Sequence, residues 1–265
     1  MHGTVRTVAS SGISTLSDIG RLIDWGVDTV FGIPGDGING IIEGLRRHRD
    51  RIRFVLVQHE EAAAFMATGY AKSTGRLGVC LATSGPGGLH LLNGLYDAKL
   101  DHAPVLAITG MQSTALLGTS FQQEVHLDRV FQDVAAYNAM VHVPVSIPAL
   151  VDNAVRTALT GRTVTHLTIP VDIQEADPEL NPFEGGLGTG RAPHTEAVCL
   201  DPRTIPDNVD LQRAADLLND ADRVVLLVGA GALGAGAEAI AVADTLAAPI
   251  VKPCSVRLSW PTTTR

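Results

Sequence analysis

The feature that most constrains this 265-residue chain is a repeated change of texture along its first 172 positions. Short β-branched runs read as strands: "VDTVFGI" (27–33), "RFVLVQ" (53–58), "LGVCLAT" (77–83), "PVLAITG" (104–110) and "HLTIPVD" (166–172). Between them lie stretches of helical spacing. "SDIGRLIDWG" sets Ile19, Leu22 and Ile23 on one face and reaches Gly26, a residue suited to ending a helix. "EEAAAFMATGYAKSTG" is rich in alanine and closes at Gly75, "GGLHLLNGLYDAKL" follows a Gly-Pro-Gly, and "IPALVDNAVRTALTG" runs to Gly161. Strand and helix in alternation predict an α/β fold, a parallel sheet with helices on both faces.

The texture then changes. Residues 175–206 are rich in Pro and Gly, lack periodicity, and read as a linker after a first domain at 13–174. A second α/β domain begins at 207: "VDLQRAADLLNDA" as helix, "DRVVLLVG" as strand, "GAGAEAIAVADTLA" as helix and "APIVKP" as strand. One such unit cannot bury both faces of a sheet, so 207–253 is expected to be part of a larger domain. Residues 254–265 are polar and cationic without a period, and are read as an irregular tail, frameshifted in character.

Composition narrows the function classes. With 45% hydrophobic and 18% charged residues the chain is globular. Aromatics are only 4% while Gly and Ala abound, which suits close packing of helix on sheet. A net charge of −8 argues against nucleic acid and anionic membranes as partners. Cys80, Cys199 and Cys254 are odd in number and have no metal-ligand spacing, which points to a reducing cytoplasm, with Cys80 as a core thiol. The most apolar stretch, 224–243, contains spaced glycines and Glu238 and reads as strand, turn and helix, not as a membrane span.

Several short motifs carry chemistry. Gly35-Asp36-Gly37 follows an apolar run, where a glycine turn cradles phosphate or simply reverses the chain. Glu60 and Glu61 open a helix. "HEEAA" lacks the second histidine of a zinc-protease helix, so no metal ligand is expected at His59. Ser84-Gly85-Pro86-Gly87-Gly88 bends strand into helix. Gly229, Gly231, Gly234 and Gly236 fit a dinucleotide turn, a weak signal by itself.

Taken in order, "GVDTVFGIPGDGING", "VQHEEAAAFMATGYAKSTG", "ATSGPGGLHLLNGLYDAKLDHAPVLAITG" and "FQQEVHLDRVF" resemble the N-terminal, pyrimidine-binding domain of thiamine-diphosphate enzymes. The subgroup they resemble most is that of pyruvate oxidase and acetolactate synthase. The resemblance implies a cofactor, thiamine diphosphate, and a 2-oxoacid substrate such as pyruvate. It makes Glu60 the catalytic carboxyl that activates the aminopyrimidine. It places Gly35, Ser84, Gly85, Pro86, Gly87, His90 and Asn93 around the cofactor, and Asp36, Phe121 and Gln122 on the substrate side. Asp36 departs from the small or hydroxyl residue expected there, which puts substrate choice in doubt.

The family's metal-binding Gly-Asp-Gly is followed by Asn roughly thirty residues on. The window here, "EEAAAFMATGY", holds none, so 35–37 is read as a turn and not as a Mg²⁺ site. Mg²⁺ and FAD are then expected only in a full-length family enzyme. The expected partners are further copies of the chain or a separate subunit carrying the diphosphate domain. The expected activity is 2-oxoacid decarboxylation. The alternatives are an acetolactate synthase-like carboligase portion, the pyrimidine-domain subunit of a split enzyme, and a non-catalytic product of an interrupted gene. With synonymous codons chosen freely and C as the preceding base, the tail can be encoded so that the frame one base earlier reads Leu-Leu-Gly-Lys-Ala, which resembles the family at that point.

Overall fold

A computed structural model of the protein describes residues 15–176, 196–198, 205–232 and 234–252. These fall into two compact units, divided after Asp201. In the first, chain order runs α1 (Thr15–Asp24), β1 (Thr29–Gly32), α2 (Asn39–Arg47), β2 (Arg53–Leu56), α3 (Glu60–Thr74) and β3 (Gly78–Ala82). It continues through α4 (Pro86–His90), α5 (Leu92–Leu100), β4 (Val105–Met111), α6 (Leu127–Val130), β5 (Tyr137–Met140), α7 (Ile147–Gly161), β6 (Val164–Pro170) and α8 (Val171–Glu175). The six strands form one sheet in the order β2-β1-β3-β4-β6-β5, and every pairing is parallel.

Successive residues of a strand face opposite sides, so the central strands feed two cores. Val30, Val79, Leu81, Leu106 and Leu167 pack against Ile19 and Leu22 of α1, Ile41 of α2 and Val151 of α7. Phe31, Cys80, Ala82 and Ala107 face Ala63, Ala64 and Ala67 of α3, Leu95 of α5 and Phe131. The strand residues on this second side are mostly small because α3 sits very close. A Cβ on Gly78 would lie 2.2 Å from the Ala67 carbonyl oxygen, and one on Gly94 of α5 would lie 2.6 Å from Ala64 Cβ. The low aromatic and high Gly/Ala content thus has a location: the seat of α3 between β3 and α5. Cys80 is fully buried there, and burial pushes its thiol up to about 12.

The sheet also holds a buried polar node. His166 of β6 stacks on Phe131 with ring centroids 3.9 Å apart. Its Nδ1–H donates to Asn138 Oδ1 of β5 at 2.8 Å, which leaves Nε2 to accept from Thr109 Oγ1 of β4 at 2.8 Å. Asn138 Nδ2 in turn donates to the Asp128 carbonyl of α6. A neutral imidazole satisfies this set, and complete burial pushes its pKa down to about 3.

The second unit contains α9 (Asn208–Asn219), β7 (Leu226–Leu227), α10 (Gly236–Leu246) and β8 (Ile250–Val251), with β7 and β8 paired in parallel. The expected helix–strand–helix–strand order is present. Among the described residues no helix is long and apolar enough to cross a membrane.

The strands predicted in the first unit all form, within a few residues of the predicted ends. "HLTIPVD" starts two residues earlier, and at Pro170 the chain leaves the sheet for α8, so 171–172 are helical rather than extended. Four helices and strands were not predicted: β5, α2 and the short α6 and α8. β5, "YNAM", is a half-buried edge strand without a β-branched residue, and α2 follows directly on the 35–38 turn. Most of the predicted 175–206 linker and all of the predicted 254–265 tail lie outside the described residues.

Candidate functional site

In this strand order β1 leads to β2 on one side while β3 leads to β4 on the other. The chain therefore leaves the C-terminal ends of β1 and β3 in opposite directions, which opens a crevice there, the usual ligand position in an open parallel sheet. The turns at 33–38 and 83–88 flank it.

The first turn holds Gly35 in extended backbone, then a 3-10 turn over Asp36–Ile38. Asp36 Oδ1 accepts the Gly37 N–H at 2.9 Å and the Thr83 hydroxyl at 3.4 Å. The Gly-Asp-Gly is a turn whose carboxylate is engaged locally. A Cβ on Gly35 would meet Thr83 Cβ at 2.6 Å, and one on Gly37 would meet Ser84 Oγ at 2.7 Å. The two turns are that close only because these positions lack side chains. Gln174 of α8 holds the same turn from behind, its Nε2 donating to the carbonyls of Gly37 and Ile169, each at 2.8 Å.

The second turn passes through Gly85 at φ 61, ψ −122, a backbone conformation open to glycine. Pro86 then starts α4. Glu60 is the first residue of α3, with His59 as N-cap accepting the Glu61 N–H on Nδ1 at 3.2 Å. Glu60 Oε2 lies 3.0 Å from His90 Nδ1, and its Oε1 lies 3.3 Å from where a Cβ of Gly87 would stand. The carboxyl thus borders the glycine turn, its side chain 14% exposed. The His59 and His90 rings stack with centroids 4.5 Å apart.

The predicted site residues do not all meet. Glu60, Gly87 and His90 are brought together, as are Gly35, Asp36 and Ser84 through Thr83. Asn93 turns instead to Glu61, donating to its Oε1 at 2.7 Å. Phe121 and Gln122 lie on the loop after β4, both exposed. That loop is tied to the second turn by Gln112, whose Nε2 donates to the Gln122 carbonyl at 2.8 Å and reaches Ser84 Oγ at 3.4 Å. It is also tied internally by Glu124, which accepts the N–H groups of Gly118 at 2.5 Å and Phe121 at 3.2 Å. Hydrogen bonding from Gly118 first, then Phe121 and Ser120, holds the Glu124 carboxyl below its ordinary range. Gln112 and Gln174 lie outside the quoted motifs, and Thr83 and Glu124 lie inside two of them without a role having been read for them. Their roles come from partners distant in sequence or from loop geometry, and no local pattern announces them.

Residues 19–131 match the family model described as the thiamine pyrophosphate enzyme, N-terminal TPP binding domain. YdaP of Bacillus subtilis (strain 168) is 42% identical over 230 residues, which are 87% of this chain and 38% of that protein. The pyruvate oxidase of Lactiplantibacillus plantarum is 37% identical over 86% of this chain and 36% of its own length. The acetolactate synthase large subunit of Corynebacterium glutamicum is 36% identical over 94% of this chain and 40% of its own length. The chain thus spans about two fifths of the length of these relatives. Sequence match, parallel sheet and glycine-turn crevice agree: residues 19–131 belong to the thiamine pyrophosphate enzyme family, as its N-terminal, cofactor-binding domain.

Proposed function

We propose that the first unit is the pyrimidine side of a thiamine diphosphate site in an enzyme acting on 2-oxoacids such as pyruvate, of pyruvate oxidase or acetolactate synthase type. The observation that carries this reading is the Glu60 carboxyl set against the side-chain-free Gly87. A carboxyl there suits a ring nitrogen, and a run of glycines leaves room for a flat heterocycle. The chemistry of the residues present therefore fits the aminopyrimidine end of the cofactor.

When bound, the cofactor supplies a nucleophilic carbon that its own aminopyrimidine deprotonates. The chain's part is to hold a proton at Glu60 and share it with the ring nitrogen. His90 fixes the carboxyl through Oε2, which leaves Oε1 toward the glycine turn. Gly85 and Gly87 line the ring position with bare backbone. Phe121 and Gln122, on the loop tied down by Gln112 and Glu124, meet the substrate, as does Asp36, whose charge bears on which 2-oxoacid is accepted.

The diphosphate end fits less well. The carboxylate oxygen of Asp36 is spent on Gly37 and Thr83. We therefore assign the diphosphate, its Mg²⁺ and, in an oxidase, FAD to protein outside the described residues, carried by a partner copy or a separate subunit. A cytoplasmic setting suits the free thiol of Cys80.

The test is Glu60→Gln in an enzyme assembled with a diphosphate-binding partner. Pyruvate turnover should fall by about 10²–10⁴-fold, the scale of losing a proton-transfer group. Turnover close to that of the parent removes Glu60 from the role and the reading with it.

A further inference from the structure

We propose that His59, Glu60 and His90 form a binding site for a divalent transition-metal ion, best matched by zinc. A ring nitrogen from each histidine and a carboxylate oxygen of Glu60 all lie within 4.8 Å of one another. His90 Nδ1 and Glu60 Oε2 are already 3.0 Å apart, close to the roughly 3.3 Å between two ligands on one tetrahedral zinc with bonds near 2.0–2.1 Å. The stacked imidazoles, inclined at 28°, bring the two ring edges alongside each other, so small side-chain rotations close the remaining gap.

The donor set selects the ion. Two imidazoles and one carboxylate suit zinc, cobalt or nickel. Magnesium and calcium prefer oxygen ligands throughout. Three protein ligands leave the fourth position to water, the arrangement of an open site. Access is available, since the His90 side chain is 47% exposed.

The ligands come from three positions on two elements: the N-cap and first residue of α3, and the last residue of α4. Spacing along one helix therefore could not reveal them, which is why "HEEAA" alone predicted no metal. The ion would replace the proton shared between His90 Nδ1 and Glu60 Oε2, and that proton leaves to solvent or to Nε2 of the same ring. Ligation by His59 Nδ1 would exchange its 3.2 Å bond from the Glu61 N–H for the metal. The start of α3 disfavours added positive charge. Glu61 in the same first turn, held by Asn93, offsets that and keeps the site electrostatically balanced. The ion and the cofactor ring compete for the Glu60 carboxyl, so the metal site belongs to the cofactor-free chain, and the inference stands on this geometry and not on the cofactor reading.

The experiment is titration of the full chain with zinc chloride by calorimetry, in a Cys199→Ser, Cys254→Ser background that removes thiol competition. We expect one site with a dissociation constant on the order of micromolar, weakened at least ~10-fold by His90→Ala and, separately, by His59→Ala. His126→Ala serves as a control and should leave it unchanged. Each variant is checked for the parent's circular dichroism. A second measurement needs no variant at the site: cobalt(II) should give the visible bands of a four- or five-coordinate ion with nitrogen and oxygen ligands. Binding weaker than ~100 µM overturns the proposal, as does parent-like affinity in either folded histidine variant or the spectrum of six-coordinate aqueous cobalt.

Discussion

At the scale of single residues, His166 shows how a buried polar group couples this sheet to pH. Its folded pKa of about 3 lies below its ordinary 6.5. Above 6.5 both folded and unfolded chains hold it neutral. Between the two values the unfolded chain binds a proton that the folded chain refuses, so stability falls as pH drops through that window. One proton corresponds to about 1.4 kcal/mol per pH unit. Urea midpoints followed from pH 7 to pH 4 should show this component, and His166→Gln should lack it whatever its stability at neutral pH. An unchanged slope in the variant would mean that His166 is already protonated in the fold. Cys80 makes a simpler case. With its thiol pushed up to about 12 and no exposure, it should resist alkylation in native buffer and react once the chain is unfolded.

At the scale of elements, α3 decides how tightly the molecule is built. Gly94→Ala would force a methyl to within 2.6 Å of both Ala64 Cβ and the Phe65 nitrogen. Overpacking of this kind costs about 1–3 kcal/mol, readable as a lower denaturant midpoint. Gly69, on the outer side of α3, has nothing within 4 Å of its missing Cβ. Gly69→Ala should instead stabilise by about 0.5–1 kcal/mol through helix propensity alone. The opposite signs at two glycines of similar surroundings in sequence would confirm that contact, not residue type, sets the outcome. The same contrast explains what could be read in advance. β3, β4 and β6 are buried on both sides, so their runs are rich in apolar and β-branched residues and announce themselves. β5 lies at the sheet edge, half-buried, and "YNAM" resembles neither period. Glu60, the 84–88 turn and His90 were singled out through the family-like motifs, and the fold brings Glu60, Gly87 and His90 together. Gln174 acts on Gly37, 137 positions away, and Thr83 acts as the filler between glycines of two turns, so only the folded chain reveals them.

For the whole molecule, the described residues offer a carboxyl and a glycine turn for a heterocycle but no cluster of oxygen ligands for a diphosphate-bound metal. The chain alone should therefore bind thiamine diphosphate without the Mg²⁺-dependent, micromolar-or-tighter affinity that needs about 8 kcal/mol or more. Calorimetry with cofactor and Mg²⁺ tests this, and a tight metal-dependent isotherm would refute it. The second unit, considered by itself, has a two-stranded sheet and leaves Val209, Leu211, Leu217 and Leu227 exposed. So small a sheet is marginal without further strands. Limited proteolysis should cut within 205–252 well before it cuts within 19–175. A parent chain cut first inside α3 or α5 would reverse that ranking. The crevice between β1 and β3 has a last consequence. Within the first unit it is bounded by the turns at 33–38 and 83–88, and if, as proposed, a second polypeptide carries the diphosphate side, that body arrives by collision. If the reading of the site is right, specific activity will not be a constant of the preparation. It will fall on dilution, recover on concentration, and lag after mixing by the time two bodies take to find each other.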